Sequence, residues 1–127
     1  MMTKRSSAVY SPSMSGLPFS EAVQAGELLF LAGQLGMDAS GNLVSGGIGP
    51  EVQQAMANIR AVLERHGSSL DDIVKVTVML ADIREWAAMN AEYVKFFSGH
   101  FPARSAFGTS GLALGARVEI ECVALAR

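Results

Sequence analysis

The sequence holds a single cysteine, Cys122. No disulfide can therefore close within the chain, and no cysteine-rich metal site can be assembled. Histidine is nearly as scarce: His66 falls at the end of an expected helix and His100 in a loop, so no metal-ligand cluster is expected. No run of eighteen apolar residues is present to span a membrane. Met1 to Ser7 is polar and basic, but no apolar stretch follows it, so no signal peptide is expected and a reducing cytoplasm is the expected compartment. Charge is also sparse. Only 17% of residues are charged, the net charge is −2, and the ten Lys and Arg are scattered, which gives nucleic-acid binding little electrostatic support. Without internal repeats, low-complexity segments or a Pro/Gly linker, residues 1–127 read as one domain, with 1–7 as a flexible arm.

Apolar side chains, by contrast, are plentiful: half the chain is hydrophobic, enough to build a core. Short strands are expected near Ala8–Tyr10 and Glu21–Gln24. The continuous apolar run Leu28–Ala32, bounded by Gly26 and Gly33, fits a buried strand. A turn at Asp38–Asn42 leads to a short return strand at Leu43–Val44. Pro50 suits the first position of a helix, and Val52, Met56, Ile59 and Leu63 follow it as one apolar stripe that stops at Gly67. Ile73–Leu80 alternates as a strand, with Val74, Val76, Val78 and Leu80 on one face and Ile73, Lys75, Thr77 and Met79 on the other. Asp82 can cap a second helix, with Glu85 in capping-box position and Trp86, Met89, Tyr93 and Phe97 at helical spacing. Ala103–Thr109 and Arg117–Ala126 complete the strands.

This order predicts an α+β fold, a mixed sheet of five or six strands with two helices on one face. The opposite face carries Ile73, Met79, Val123 and Leu125, too apolar to be left in water, which points to subunit packing.

Most chemical motifs are missing. Gly46–Gly47–Ile48–Gly49 precedes a helix but is not followed by the Lys-Ser/Thr of a phosphate-binding loop, and it reads as a turn. Ser105 and Ser110 have no histidine placed to activate them. Cys122 alternates with Val118 and Ile120 on the core face and reads as a buried, inert thiol. Three residues stand out. Arg104 lies in an otherwise apolar strand, where it is either a sheet-edge residue with its head in solvent or a planar fork for a carboxylate. Glu119 and Glu121 share a face with Arg117; they form a solvated, salt-bridged face, or one of them meets Arg104 on a neighbouring strand, and alternation cannot rank them. Asn90 sits beside the apolar stripe of the second helix, where a half-buried amide needs partners, from a loop or from a site.

From about residue 8 to its end the chain resembles the RidA (YjgF-type) family. The matching stretches are Phe19–Val23, Leu29–Gln34, Asn58–Leu63, Asp72–Val78 and Met89–Asn90 with Tyr93 and Phe96–Phe97. The hallmark is Pro102–Ala103–Arg104–Ser105 followed by Val118–Glu119–Ile120–Glu121. The resemblance implies a chorismate-mutase-like fold, a homotrimer with clefts between subunits, and cofactor-free hydrolysis of reactive 2-imino acids to 2-keto acids and ammonia. Carried over by motif, Arg104 matches the carboxylate-binding arginine, and Glu119, selected over Glu121, matches the glutamate that positions water. Asn90 matches a site-shaping asparagine, and Gly33 and Ala106 match positions lining the pocket through backbone groups. Phe19 stands where many members have tyrosine, and Ala32 and Ala106 where well-studied members have serine and cysteine. The implied partner is a small 2-imino or 2-keto acid. A related catabolic enamine or aminoacrylate hydrolase, or a non-enzymatic module binding small carboxylates or a partner protein, are the other readings of the same scaffold.

Overall fold

The computed structural model describes residues 7–127. Of the expected arm, residues 1–6 lie outside the described residues. The described residues form one sheet from β1 (Val9–Pro12), β2 (Ser20–Ala25), β3 (Leu28–Leu31), β4 (Gln34–Leu35), β5 (Ile73–Leu80), β6 (Ala103–Gly108) and β7 (Val118–Leu125). The spatial order is β1-β2-β3-β7-β5-β6, with β4 continuing beside β7. Only β5 and β6 run parallel; the remaining pairs are antiparallel. The sheet thus has seven strands rather than five or six. The two-residue β4 is too short to show periodicity, whereas Leu43, expected in a strand, makes only an isolated bridge to Met37.

Helix α1 (Ile48–Arg65) buries Val52, Met56, Ile59 and Leu63, as their spacing requires. It begins two residues before Pro50, behind Gly47, so the proline stands at the third helical position, where its missing N–H still deprives the helix of no bond. Gly67 ends it at φ +76, a conformation that a β-carbon disfavours. Helix α2 (Trp86–Tyr93) buries Met89 and Tyr93. Asp82 accepts a hydrogen bond from the Arg84 amide, but Glu85 does not close a capping box; its carboxylate takes Arg117 Nη1 at 2.9 Å instead.

Both helices cover the face carrying Val76, Val78 and Leu80 of β5 and Val118, Ile120 and Cys122 of β7, which form the core with them. Each large apolar side chain buried there contributes about 1.5–3 kcal/mol. Burial pushes the Cys122 thiol up to about 12, consistent with an inert core residue.

Two expectations about faces are corrected. A bulge between Ile73 and Lys75 leaves Val74 without a partner on β7, so Ile73 joins the core and Val74 turns outward. The run Leu28–Leu31 is not buried throughout. Leu29 and Leu31 enter the core, while Leu28 and Phe30 lie on the far face, Phe30 at 44% exposure. That far face also carries Met79, Phe107, Val123 and Leu125, none of them covered by a helix.

Candidate active site

Edge strand β6 pairs in parallel register with β5, placing Arg104 opposite Val76 and Ala106 opposite Val78. Arg104 and Ala106 therefore point toward the helices. The Arg104 guanidinium lies 4.8 Å from the Tyr93 ring centroid and 5.7 Å from that of Trp86, with Nη1 3.8 Å from Met89 Sδ. The expected choice between a solvated arginine and a fork is thus narrowed, because the head is folded onto α2. Arg65, Arg84, Arg117 and Arg127 each hold a carboxylate, whereas among the described residues Arg104, and the exposed Arg60 stacked over Phe96, hold none. Of these two, Arg104 is the one that faces a cleft. That cleft measures about 280 Å³ and is lined by Asn90, Tyr93, Val94, Phe101 and Pro102 as well as Arg104 itself.

Two buried polar atoms on α2, Asn90 Oδ1 and Tyr93 Oη, make no hydrogen bond among the described residues. Desolvation raises the Tyr93 phenol to about 12, against the opposing pull of the Arg104 charge, so it stays a neutral donor across the working range. Tyr93 and Trp86 were legible in the sequence only as an apolar stripe. Nothing in their spacing reveals that the stripe's outer edge meets Arg104, because β6 is brought there by the sheet.

Glu119 lies elsewhere. On β7 it pairs with Met79 of β5 and Leu35 of β4, with its side chain on the face opposite the helices. Strand β5 separates β7 from β6, so neither Glu119 nor Glu121 can meet Arg104 within one chain. This corrects the expectation that one of them meets Arg104 on a neighbouring strand. Burial, and secondarily the charge of Glu121, lifts the Glu119 carboxyl above the usual glutamate range. Glu121 is the more exposed of the two.

Gly33 packs directly against Glu119. A β-carbon there would collide with the carboxylate and come within 2.9 Å of its Cδ. Two polar side chains of α1, not recognised in the sequence, hold the surrounding walls. Asn58 Nδ2 donates to the carbonyls of Leu35 and Met37, and Glu51 Oε1 accepts the Arg117 amide at 2.9 Å, just before β7 begins. Gly33→Ala is expected to push the carboxylate aside without unfolding the chain, since the atoms that must yield end a flexible side chain. Should Glu119 act on a substrate, activity would fall roughly 10- to 100-fold, as misplacement of a reacting group by an ångström does, while calorimetry would show an almost unchanged Tm. Wild-type turnover would mean that the close approach is incidental.

The six candidate residues thus fall into three places. Arg104, Asn90 and Ala106 lie on the helix side, Gly33 and Glu119 on the opposite face. Phe19 is half exposed just before β2, four strand positions from β6 and roughly 19 Å away at the usual strand spacing. Among the described residues no three of His, Cys, Asp and Glu gather closely enough to hold a metal ion.

A mixed sheet with one parallel edge pair and two helices on one face places the chain among α+β proteins. Residues 11–126 match the family model described as Endoribonuclease L-PSP. A 2-iminobutanoate/2-iminopropanoate deaminase of Capra hircus is 43% identical over 120 residues, which cover 94% of this chain and 87% of that one. Among solved structures, yeast YEO7 superposes with a TM-score of 0.88 at 36% identity, covering 95% of this chain and all of that one. The Escherichia coli YjgF gene product does so with a TM-score of 0.82 at 30% identity, covering 93% and 94%. The chain belongs to the RidA (YjgF-type) family.

Proposed function

We propose that this protein hydrolyses small 2-imino acids, or their enamine tautomers, to 2-keto acids and ammonia, in sites shared between the subunits of a homotrimer of chorismate-mutase-like fold. The observation that carries this reading is the Arg104 guanidinium, aimed into a largely apolar cleft with no carboxylate partner among the described residues. A bidentate carboxylate is the partner that a planar fork takes best. The relatives named as 2-iminobutanoate/2-iminopropanoate deaminases support the substrate class.

Arg104 and Glu119 occupy opposite faces of one sheet, so a substrate that touches both must lie between two copies. The uncovered far face, with Phe30 and Phe107 about half exposed, supplies the apolar surface for such packing. In the cleft, Arg104 fixes the substrate carboxylate. Glu119, ionised, takes a proton from a water whose oxygen attacks the imine carbon, and the C=N electron pair moves onto nitrogen. The proton passes from Glu119 to nitrogen, an oxygen lone pair forms the C=O bond as the C–N bond breaks, and the hydroxyl proton returns through Glu119 to the departing ammonia, which leaves the keto acid. An iminium carbon is already electrophilic, so orientation and proton transfers through one carboxylate suffice, without metal or organic cofactor. A small acid, rather than nucleic acid, fits a cleft of this size. Imines generated in situ by a threonine dehydratase and trapped with semicarbazide test the activity. Binding of 2-ketobutyrate without turnover would instead mark a carboxylate-binding module.

Subunit sharing has its own expected result. Light scattering at micromolar concentration should give about three times the chain's 13.4 kDa. When inactive Arg104→Ala and Glu119→Gln chains are unfolded together in equal amounts and refolded, mixed trimers should recover activity. Each mixed ring holds one junction with both wild-type residues, so about a quarter of wild-type turnover should return. No recovery, or a stable monomer, would remove the shared site.

A further inference from the structure

Buried or half-buried arginines in folded proteins are ordinarily neutralised by a carboxylate or hydrogen-bonded to carbonyls. Arg104 departs from this. Its three neighbours on the α2 side, Trp86, Met89 and Tyr93, are all uncharged, and they stand at i, i+3 and i+7 on one helix face. Two offer ring faces to the guanidinium and the third a thioether sulfur. Such contacts fix the position of a cation through the ring quadrupole while leaving its net charge and its N–H donors largely unspent. A carboxylate at any of these positions would hold the arginine equally well, but it would compete with an anionic ligand.

We propose that Trp86, Met89 and Tyr93 form a charge-neutral cradle that positions Arg104 and keeps its guanidinium unpaired for an incoming carboxylate. The three are positioning residues acting through Arg104. Tyr93 and Met89 are buried and supply the floor, while Trp86, at 45% exposure, closes the outer side. The inference rests on the carboxylate-binding half of the proposed function and is independent of whether an imine is turned over. It also implies a built-in reporter. Trp86 is the chain's only tryptophan, and its ring lies beside the group to which the ligand binds.

The probe is 2-ketobutyrate, titrated at pH 7.5 into the intact protein and its variants, read by tryptophan fluorescence for the wild type and the variants that keep Trp86 and by calorimetry for all. Wild-type fluorescence should change saturably with ligand, and Arg104→Ala should abolish the change. Among the variants, Tyr93→Phe keeps the ring and should bind within about twofold of wild type, because the cation–π contact does not use the hydroxyl. Trp86→Gln removes one ring and should weaken binding about 3- to 10-fold, raising KM while leaving kcat nearly unchanged, as loss of uniform binding does. Trp86→Glu should weaken it at least a further 10-fold, because the new carboxylate occupies the fork. Trp86 lies at the surface, so both its variants should fold, and an unchanged Tm would confirm it. The comparison that decides is Trp86→Glu against Trp86→Gln. Equal affinities would show that neutrality at this position does not matter and would overturn the cradle. If instead the wild type fails to bind the keto acid at all, the proposed substrate class fails with it. Binding with the expected variant order but no imine turnover would sustain the cradle and remove only the catalysis.

Discussion

Arg104→Ala is expected to abolish detectable imine turnover. In the proposed site the substitution removes two charge-assisted hydrogen bonds to the substrate carboxylate, each worth about 1.5–3 kcal/mol, so kcat/KM should fall by at least about 100-fold. Arg104→Lys keeps the charge but presents a point donor in place of a planar fork, and it cannot stack on Tyr93 and Trp86 in the same way. Little activity should remain. Neither variant is expected to unfold. Arg104 lies on the edge strand β6 with no ion pair to break among the described residues, and the core formed by α1, β5 and β7 does not depend on it. Steady-state assays beside light scattering separate the two effects. Wild-type turnover in Arg104→Ala would make this arginine a structural residue.

Glu119→Gln should be the second largest loss. The amide keeps the shape of the side chain beside Gly33 but can no longer accept a proton from water, and loss of a general base costs about 10²-fold or more. Binding of 2-ketobutyrate through Arg104 should persist. Glu121→Gln should be nearly silent by comparison, since its more exposed carboxylate is worth under about 1 kcal/mol to its surroundings. A crippled Glu121→Gln beside a normal Glu119→Gln would reverse the assignment.

The raised Glu119 carboxyl acts on activity and on stability in opposite directions. In its proposed role as base Glu119 works ionised, so wild-type activity should fall on the acid side as pH drops through a value above the ordinary glutamate range. Glu119→Gln should lack that acid limb in whatever turnover survives. For stability the direction is opposite. A carboxyl whose folded-state value is raised favours folding only while protonated; that contribution is complete below the unfolded value and is lost as pH rises through the folded one. At neutral pH the ionised group therefore costs stability, and Glu119→Gln should melt at or above the wild-type temperature while having lost its activity. A lowered Tm at neutral pH would mean that partners in the assembled protein compensate the charge.

Much of this protein was legible in its sequence, for a local reason. Helix and strand periods are written in consecutive residues, so Val52, Met56, Ile59 and Leu63 announce α1, and the alternation of Val118, Ile120 and Cys122 announces β7 and its core face. Arg104 stands out for the same reason, as a cation within an apolar strand, and the motif around it carries the family. Sequence patterning also showed that the sheet has a second apolar face.

Where those elements meet was decided by the tertiary structure alone. The insertion of β5 between β6 and β7 keeps Arg104 and Glu119 apart, and their registers on β5 put them on opposite faces, although strand alternation taken by itself allowed them to touch. The bulge at Val74 reverses the expected side of Ile73, because one unpaired residue shifts a period of two. Gly33 reads in sequence as a strand boundary and becomes the floor beneath a carboxylate only once β4 is laid against β7. The Trp86–Met89–Tyr93 stripe, in sequence a core-facing helix edge, gains its neutral grip on Arg104 only when α2 docks against β6. Each of these depends on strand order, register or helix docking, which are fixed by contacts between residues distant in the chain and leave no local period to read.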